Sequence, residues 1–459
     1  MKNFQKLFVI MLLAILAVAP VFAGGSSEKS SSEASIQDAV KKVLVDKEEV
    51  TISFWTGTGT QNYPYLENMV NAFMEKYPNI KVDFSNQGAI GDLTNKVTQN
   101  IISRTTPTLT NLYATTYPEY ISSGALVDLM PYFTDSTIGY TEEEAGDFFS
   151  NYIEECKSFG EEGTMYAWPT NKKTTDVLYY NRTYFEEHNL SVPTTWDEVV
   201  EVSKYIYEDT GKPGFSYDTA PGEQAFKTMS SQWGSAYINA DGTVDVDNEA
   251  SLAVLNFYKE NMDKGYFTLP ALMPSAGGNY SNSGFKMEEC YMYIGTASGA
   301  QYAVPNPASG QKDFEVGVAP LPQYSSSTAV TFNKGENYAV FTNSTTEQRV
   351  AAWLLIKFLS GAEENVEWLT ATGNLPISTS QLENEEYQKF LNNSEEGTKA
   401  YTYAQAVKAA LEMKDITEYD IIFDRASDFA SDVGTMWTSV LIGGADARSS
   451  LEELQAKYN

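Results

Sequence analysis

The chain has 459 residues, 42% of them hydrophobic, which is enough for two or three domains with apolar cores. Its formal net charge is −30, and such an excess of acidic groups repels nucleic acids and anionic lipids, so we expect neither as a partner. His188 is the single histidine, which nearly excludes a Ser-His-Asp triad and any histidine-rich zinc site. The glycine motifs that bind nucleotide phosphates are missing as well, and we expect no metal and no cofactor.

Residues 1–23 have the pattern of a secretory signal peptide. Lys2 and Lys6 supply its positively charged end. Residues 7–19 form an apolar run that is too short to span a bilayer comfortably, and a small residue, Ala23, precedes the expected cleavage point. We therefore expect the protein to be secreted and this segment to be removed.

The residues that follow the signal peptide indicate where the secreted protein is retained. No cysteine precedes Cys156, so the acylated cysteine of a bacterial lipoprotein is not available. A secreted protein without an anchor is retained only by a second membrane, and we therefore expect the periplasm. Residues 24–46 begin with small polar side chains, which are typical of a flexible leader.

The first part of the expected globular region has a strand–helix–strand pattern. Residues 50–55 and 80–84 alternate between apolar and polar side chains as strands do, and residues 66–77 place apolar side chains on one helix face. This unit predicts a parallel sheet covered by helices, in which ligands bind beyond the carboxyl ends of the strands. Trp55 and Tyr113 occupy that position and are candidate ligand contacts, although a tryptophan that ends a strand serves packing about as often.

The stretch WPTNKKTTDVLYYN is the most informative part of the chain. Pro169 ends a short apolar segment, because proline has no backbone N–H to donate. Residues 170–176 then form a polar bridge rich in groups that can hydrogen-bond a ligand, and residues 177–180 form a second strand. Asn181 is placed to cap the helix that follows.

The order of these features, continued in TYFEEHNL and VPTTWDEV, resembles the extracellular solute-binding proteins (family 1) of ATP-binding-cassette importers. The resemblance includes FEVGVAPLPQY and WLTATGNLPIS and extends from about Val50 to about Trp437. It implies an α/β fold of the type II-like periplasmic-binding-protein class, with two lobes and a ligand cleft between them.

The resemblance also divides the chain between the lobes. The first lobe is expected to contain residues 47–172 and 335–373, and the second lobe residues 173–334 and 374–459. Cys156 and Cys290 then fall in different lobes, where a disulfide would oppose the closing motion. We therefore expect two separate buried thiols.

The same resemblance indicates which residues face the cleft. In this family the polar bridge looks out on the cleft, so Asn171, Lys172 and Asp176 are expected to hydrogen-bond the ligand. Trp233 resembles the aromatic residue on which family ligands stack, with a core residue at a helix end as the alternative. The remaining candidates lie at strand ends, at the lobe crossings or in the C-terminal segment, and they are Thr296, Ser298, Asn337, Asn374 and Arg425.

The function implied by the resemblance is that of a receptor, not an enzyme. A monomer would capture a mono- or oligosaccharide by hinge closure and deliver it to the permease subunits of an importer. Glycerol 3-phosphate and its diesters are an alternative ligand class. Ala114 and Asn374 differ from the residues that the glycerol-phosphate binders have at these positions, so a neutral saccharide is the preferred ligand class. A secreted glycoside hydrolase is a second alternative, because it needs only two carboxylates and the chain has 61 Asp and Glu, with no pair singled out.

Overall fold

Two five-stranded sheets, one in each of two α/β lobes, organise the computed structural model, which describes residues 35–220 and 222–459. This arrangement confirms the predicted two-lobed α/β fold. The predicted signal peptide, residues 1–23, and the first part of the predicted leader lie outside the described residues. Within the described ranges, no helix is long and apolar enough to cross a membrane.

Strands and helices alternate along most of the chain, the pattern that covers a sheet with helices. The strands are β1 (Val50–Thr56), β2 (Ile80–Asn86), β3 (Leu109–Leu112), β4 (Trp168–Pro169), β5 (Asp176–Asn181), β6 (Phe215–Tyr217), β7 (Tyr237–Ile238), β8 (Val244–Asp245), β9 (Phe267–Thr268), β10 (Met292–Thr296), β11 (Val316–Pro320), β12 (Thr331–Phe332), β13 (Asn337–Val340) and β14 (Thr417–Glu418). The helices of the first half are α1 (35–40), α2 (Tyr63–Lys76), α3 (Ile90–Ser103), α4 (Tyr117–Ser122), α5 (Met130–Phe133), α6 (Glu142–Asp147), α7 (Ser150–Lys157), α8 (Arg182–Glu187), α9 (Trp196–Thr210) and α10 (Gln224–Gln232). The later helices are α11 (Glu249–Asp263), α12 (Asn282–Phe285), α13 (Ala300–Ala303), α14 (Thr346–Leu359), α15 (Ala362–Thr372), α16 (Thr379–Glu383), α17 (Glu385–Asn393), α18 (Lys399–Glu412), α19 (Ala426–Leu441) and α20 (Ala447–Tyr458).

The sheet of the first lobe has the strand order β2-β1-β3-β13-β4. β1 pairs in parallel with β2 and with β3, which confirms the parallel sheet predicted from the strand–helix–strand pattern. β13 runs antiparallel to β3 and β4, so the chain returns to the first lobe at this strand. Because the carboxyl ends of β1 and β3 lie at the same edge, the loops 57–62 and 113–116 meet there.

The sheet of the second lobe has the strand order β11-β5-β10-β6-β9. β10, β6 and β9 are parallel to one another, and β5 is antiparallel to both β10 and β11. The register places Asp176, at the start of β5, opposite Thr296, at the end of β10. Asp218 follows the end of β6, so these three side chains belong to one edge of the sheet.

Neighbouring segments of the chain connect the lobes. Residues 170–175 lead from β4 to β5, and residues 333–336 lead back to β13. Thr174 and Lys334 exchange backbone hydrogen bonds of 3.0 and 2.9 Å, so the two crossings lie side by side as a narrow hinge.

The predicted leader is wrong in its last part. Within residues 24–46, the structure shows helix α1 and a continuing π-helical turn, Lys41–Val45. The buried side chains of this segment follow the helical spacing i, i+3, i+4 and i+7, and they are Ile36, Ala39, Val40 and Val43. The polar composition of residues 24–34 concealed this short apolar pattern.

Residues 374–393 were expected to help complete the second lobe, but they contact the first lobe. The N–H of Phe149 donates to the carbonyl of Ile377 at 3.0 Å, and the side chain of Gln381 donates to the carbonyl of Ser360 at 2.9 Å. Helix α17 buries Tyr387 in the same region. The chain enters the second lobe with α18, which packs on β11.

The core of the first lobe is rich in aromatic side chains, and each lobe buries one thiol. Trp168 stacks on Tyr140, with ring centroids 5.0 Å apart, and meets Trp353 edge to face at 5.4 Å. Cys156, on α7, and Cys290, before β10, are buried and not bridged to each other. The predicted pair of separate buried thiols is thereby confirmed.

Candidate functional site

One cavity, the Lys227 cavity, has a volume of about 480 Å³ and lies mostly in the second lobe. Thr115, in the loop after β3, closes it from the first lobe. The lining residues are Thr115, Glu223, Lys227, Ser231, 234–238, 327–330, Phe332, 418–423, Ala426, Phe429 and Ala430. A space of this size, lined by aromatic and a few charged side chains, has the usual character of a small-molecule site.

The charged groups of the Lys227 cavity differ in whether they already have an ion-pair partner. Lys227 donates to both carboxylate oxygens of Asp420 at 2.7 Å, and its ammonium lies 4.7 Å from the ring centroid of Phe332. Its positive charge is thus already matched. Glu223 has no ion-pair partner within the described residues, which leaves its carboxylate free to accept hydrogen bonds.

Tyr237 is the most unusual lining residue of this cavity. Its φ is +61°, a left-handed conformation that costs energy for a bulky side chain. The residue is only 7% exposed, and its hydroxyl has no hydrogen-bond partner within the described residues. Burial raises its pKa well above the ordinary value, and the nearby Glu223 and Asp420 add to the rise. A buried hydroxyl without a partner costs about 1–3 kcal/mol, so a ligand that bonds to it would recover stability.

A second cavity, the Asp218 cavity, has a volume of about 340 Å³ and lies at the edge where β6 and β10 end. It is lined by Tyr179, Asp218, Tyr280, Asn282, Tyr293, Gly295, Thr296, Ser298, Gly299, Gln301 and Tyr302. The predicted contacts Thr296 and Ser298 therefore lie on a cavity wall, with their hydroxyl oxygens 3.2 Å apart.

Within the described residues, Tyr113 lines neither cavity but lies close to titratable groups of both. Burial raises the pKa of its phenol, and the charges of Glu336, Tyr280 and Glu223 raise it further. Glu223 belongs to the Lys227 cavity and Tyr280 to the Asp218 cavity, while Tyr113 itself comes from the first lobe. The ring is nevertheless 41% exposed, as expected for a side chain that stands in a concave space open to water. We call these two cavities and the nearby Tyr113 the cleft.

The lysines of the crossing segments are all paired with carboxylates. The three pairs are Lys172–Glu336 at 3.5 Å, Lys173–Glu155 at 2.6 Å and Lys334–Asp176 at 2.6 Å. Lys172 also donates to the carbonyl of Gly57 at 3.1 Å, and burial lowers its pKa, although Glu336 opposes the shift. The predicted contacts Lys172 and Asp176 thus belong to ion pairs at the hinge, and neither is among the lining residues described for the two cavities.

Three residues that were predicted to contact the ligand make contacts within the protein. Asn171 is 1% exposed and accepts a hydrogen bond from Tyr338 at 3.4 Å. Asn337 is fully buried on β13, with its side-chain oxygen 3.5 Å from the thiol of Cys156. Asn374 donates to the carbonyl of Lys173 at 3.3 Å and so braces the hinge. These geometries favour structural roles for the three amides.

The remaining predicted contacts pack against neighbouring side chains. The ring of Trp55 is covered by the ammonium of Lys96, 4.3 Å away on α3. Trp233 stacks on Tyr324, with ring centroids 4.1 Å apart. The guanidinium of Arg425 lies 4.6 Å from the ring centroid of Tyr458 on the C-terminal helix. None of the three predicted residues is among the described lining residues of the two cavities.

The lobes also touch at the mouth of the cleft. Gln61, in the loop after β1, donates to the hydroxyl of Tyr302 at 2.7 Å and also bonds to Gln301. Residues 114–116 of the first lobe approach α19 of the second. The two lobes are therefore in direct contact at these two places.

Several lining residues were not predicted from the sequence. Asp218 directly follows a strand, and the rule that gave Tyr113 could have found it. Glu223, Tyr237 and Asp420 carry no such signal, because they reach the cavity from a helix start, a short hairpin and an irregular segment.

Comparisons with known proteins show a family and a fold that this chain shares. A family model described as bacterial extracellular solute-binding protein matches residues 68–393. The arabinooligosaccharide-binding protein of Bacillus subtilis is 22% identical over 307 residues, which are 66% of this chain and 62% of that protein. The chain therefore matches less than two thirds of the length of this relative.

Solved structures share the fold at low sequence identity. The GacH receptor of Streptomyces glaucescens, studied unliganded and with acarbose, has a TM-score of 0.71 and 18% identity, covering 89% of this chain and 97% of that one. UgpB from Mycobacterium tuberculosis, in complex with glycerophosphocholine, has a TM-score of 0.74 and 17% identity, covering 89% and 98%.

Proposed function

The chain belongs to the bacterial extracellular solute-binding proteins, and from this premise we propose that it is the saccharide-binding receptor of an ATP-binding-cassette importer. It captures a mono- or oligosaccharide in the periplasm as a monomer and delivers it to the permease subunits. The arabinooligosaccharide-binding relative and the receptor studied with acarbose support a carbohydrate ligand. The family consists of binding proteins, and we assign this chain no catalytic turnover.

The observation that carries this proposal is the polar, tyrosine-rich cleft between the lobes. Tyr113 has a half-exposed ring close to groups of both cavities, and tyrosine rings suit the flat C–H faces of sugars. Glu223 and Asp218 offer carboxyl oxygens, and Thr296 and Ser298 offer hydroxyls. Such groups match the many hydroxyls of a saccharide and reject analogues that leave them unpaired.

The charges in the cleft favour a neutral saccharide over glycerol 3-phosphate. Each described lysine that lines a cavity or the hinge already pairs with a carboxylate, as Lys227 does with Asp420. A phosphate would need one of these pairs to open, against the field of a chain with net charge −30. A neutral ligand needs no such rearrangement.

The hinge supplies the binding mechanism. The crossings 170–175 and 333–336 are short and adjacent, so small rotations there move one lobe relative to the other. A saccharide that touches Tyr113 and the second-lobe cavities at once meets both sets of groups only in the closed form. Binding therefore shifts the population towards closure, which is the form the permease would recognise.

A thermal-shift screen tests this function. We expect arabino- or malto-oligosaccharides to raise the melting temperature, because a ligand that binds only the folded state stabilises it by about 2.7 kcal/mol at 100 times its Kd. Glycerol 3-phosphate and glycerophosphocholine serve as the competing ligand class, and a shift with these alone would contradict the saccharide proposal. Recovery of the bound saccharide unchanged after long incubation separates a receptor from a glycoside hydrolase.

Replacing Tyr237 by phenylalanine should weaken binding without harming the fold. The variant removes a hydroxyl that has no partner within the described residues, so we expect the melting temperature to stay equal or rise. If the ligand bonds to this hydroxyl, affinity measured by calorimetry falls roughly 2- to 12-fold, the equivalent of about 0.5–1.5 kcal/mol.

Tyr387 provides a matched control for that variant. Its hydroxyl is also buried without a partner within the described residues, but the residue lies on α17 in the first lobe. Tyr387→Phe should leave affinity unchanged. Equal affinities for both variants would mean that the Tyr237 hydroxyl does not bond to the ligand.

A further inference from the structure

The Asp218 cavity contains a carboxyl group that no ion pair neutralises within the described residues. The backbone N–H of Ser281 donates to Asp218 at 2.6 Å. The neighbouring carboxylate, Asp176, is satisfied by Lys334 at 2.6 Å and by the hydroxyl of Tyr217 at 3.1 Å. Asp218 therefore faces the cavity with most of its accepting capacity unused.

The backbone around Asp218 leaves room for the carboxyl group at the cavity wall. Gly295, on β10, lies against it, and a Cβ at this position would be only 2.8 Å from a carboxyl oxygen of Asp218. Tyr280, 55% exposed, and Tyr302, 45% exposed, line the same cavity with their rings open to solvent. These rings offer apolar faces to a sugar in the same cavity that Asp218 lines.

Asp218 is the group in this cavity whose charge changes near neutral pH. Burial raises its pKa to about 7, the charge of Asp176 adds to the rise, and Ser281 and Lys334 oppose it. The other titratable groups that face it are Tyr179, Tyr258, Tyr280, Tyr293 and Cys290. Burial raises the pKa of each above its ordinary value, so these groups stay protonated at neutral pH.

We propose that the Asp218 carboxyl group binds a saccharide hydroxyl directly, and that saccharide binding expels the proton that this group carries in the empty cleft. This inference rests on the proposed receptor function. The hydroxyl keeps its own proton and donates it as a hydrogen bond to the carboxylate, and the expelled proton goes to the buffer. No covalent bond is made or broken.

The sign of the pH dependence follows from this exchange. Below pH 7 the free carboxyl is mostly protonated, and binding must release that proton, so affinity falls as the pH is lowered. The loss approaches tenfold per pH unit between about pH 5 and 6.5. Above about pH 8 the free group is already ionised, and affinity no longer depends on pH through Asp218.

Calorimetry in buffers of different ionisation enthalpy tests the proposal on the unmodified protein. The probe is arabinotriose or maltotriose, whichever raises the melting temperature. We expect nearly one proton released per bound trisaccharide near pH 6 and almost none near pH 8.5. Asp218→Asn, which keeps the size of the side chain, should abolish the release and flatten the pH profile of the affinity.

Two variants show whether the released proton comes from Asp218. Glu223→Gln changes a carboxyl of the Lys227 cavity that has no ion-pair partner within the described residues, and His188→Asn removes the single histidine, which lies 3.6 Å from Asp209. Both should retain the proton release, and its loss in either one overturns the assignment to Asp218. Trisaccharide binding without proton release at pH 6 overturns this inference alone. Failure of every saccharide to bind overturns the receptor function and this inference with it.

Discussion

Replacing Lys173 by methionine is expected to lower the free energy of unfolding by about 3–5 kcal/mol. The side chain of Lys173 is fully buried at the hinge and lies 2.6 Å from the carboxylate of Glu155, which is only 5% exposed. The substitution leaves that carboxylate buried without its cation, and an unpaired buried charge is far more costly than a missing surface pair. Urea unfolding followed by tryptophan fluorescence measures the loss.

Two further variants separate the buried charge from other effects of the substitution. Lys173→Met combined with Glu155→Leu removes both charges and should recover most of the stability, because apolar residues can replace a buried ion pair at little cost. Lys264→Met removes a lysine whose side chain is 46% exposed and which pairs with Glu260, and should change stability by less than about 0.5 kcal/mol. A similar loss for Lys173→Met and Lys264→Met would contradict the buried ion pair.

Replacing Tyr113 by alanine is expected to weaken saccharide binding roughly 10- to 100-fold while leaving stability nearly unchanged. The ring is 41% exposed and lies close to titratable groups of both cavities, so it is placed for ligand contact more than for core packing. Tyr113→Phe keeps the ring and should retain most of the affinity. Calorimetric titration with the saccharide found in the thermal-shift screen gives both values.

Trp233→Ala is the matched control for Tyr113→Ala. Trp233 stacks on Tyr324 at 4.1 Å and lies 5.4 Å from Phe257, all within the second lobe. We expect this variant to lower the melting temperature and to leave affinity within about twofold, since the removed contacts are internal. The reverse outcome, with affinity lost in Trp233→Ala and kept in Tyr113→Ala, would place the ligand against the end of α10 and outside the cleft.

Local pattern alone predicted much of the fold. The alternating strands around residues 50–55 and 80–84, with an amphipathic helix between them, form the parallel part of the first sheet. Asn181 caps helix α8 as predicted, because its side-chain oxygen accepts a hydrogen bond from the free N–H of Tyr184. The helix at residues 35–45, which was not predicted, also has apolar residues at helical spacing, but the segment is short and follows a polar leader.

The candidate site was less predictable, because side-chain direction depends on distant neighbours. Asn171 and Lys172 are adjacent in sequence, yet Asn171 is buried against Tyr338 while Lys172 reaches Gly57 in the loop after β1. Sequence position places both on the polar bridge. Only the packing of β13 and of the first-lobe loops decides the different contacts of the two side chains.

The sequence by itself determined the acidic charge, the single histidine that nearly excludes a histidine-based catalytic device, and the strand–helix alternation that predicts a parallel α/β sheet. These properties depend on composition and on neighbours a few residues apart. The tertiary structure decided which side chains meet at the cleft, such as Tyr113, Glu223 and Asp218, and which charges are matched there. Pairs such as Lys227–Asp420 and Lys334–Asp176 join segments more than a hundred residues apart, and sheet register and the hinge set their distances.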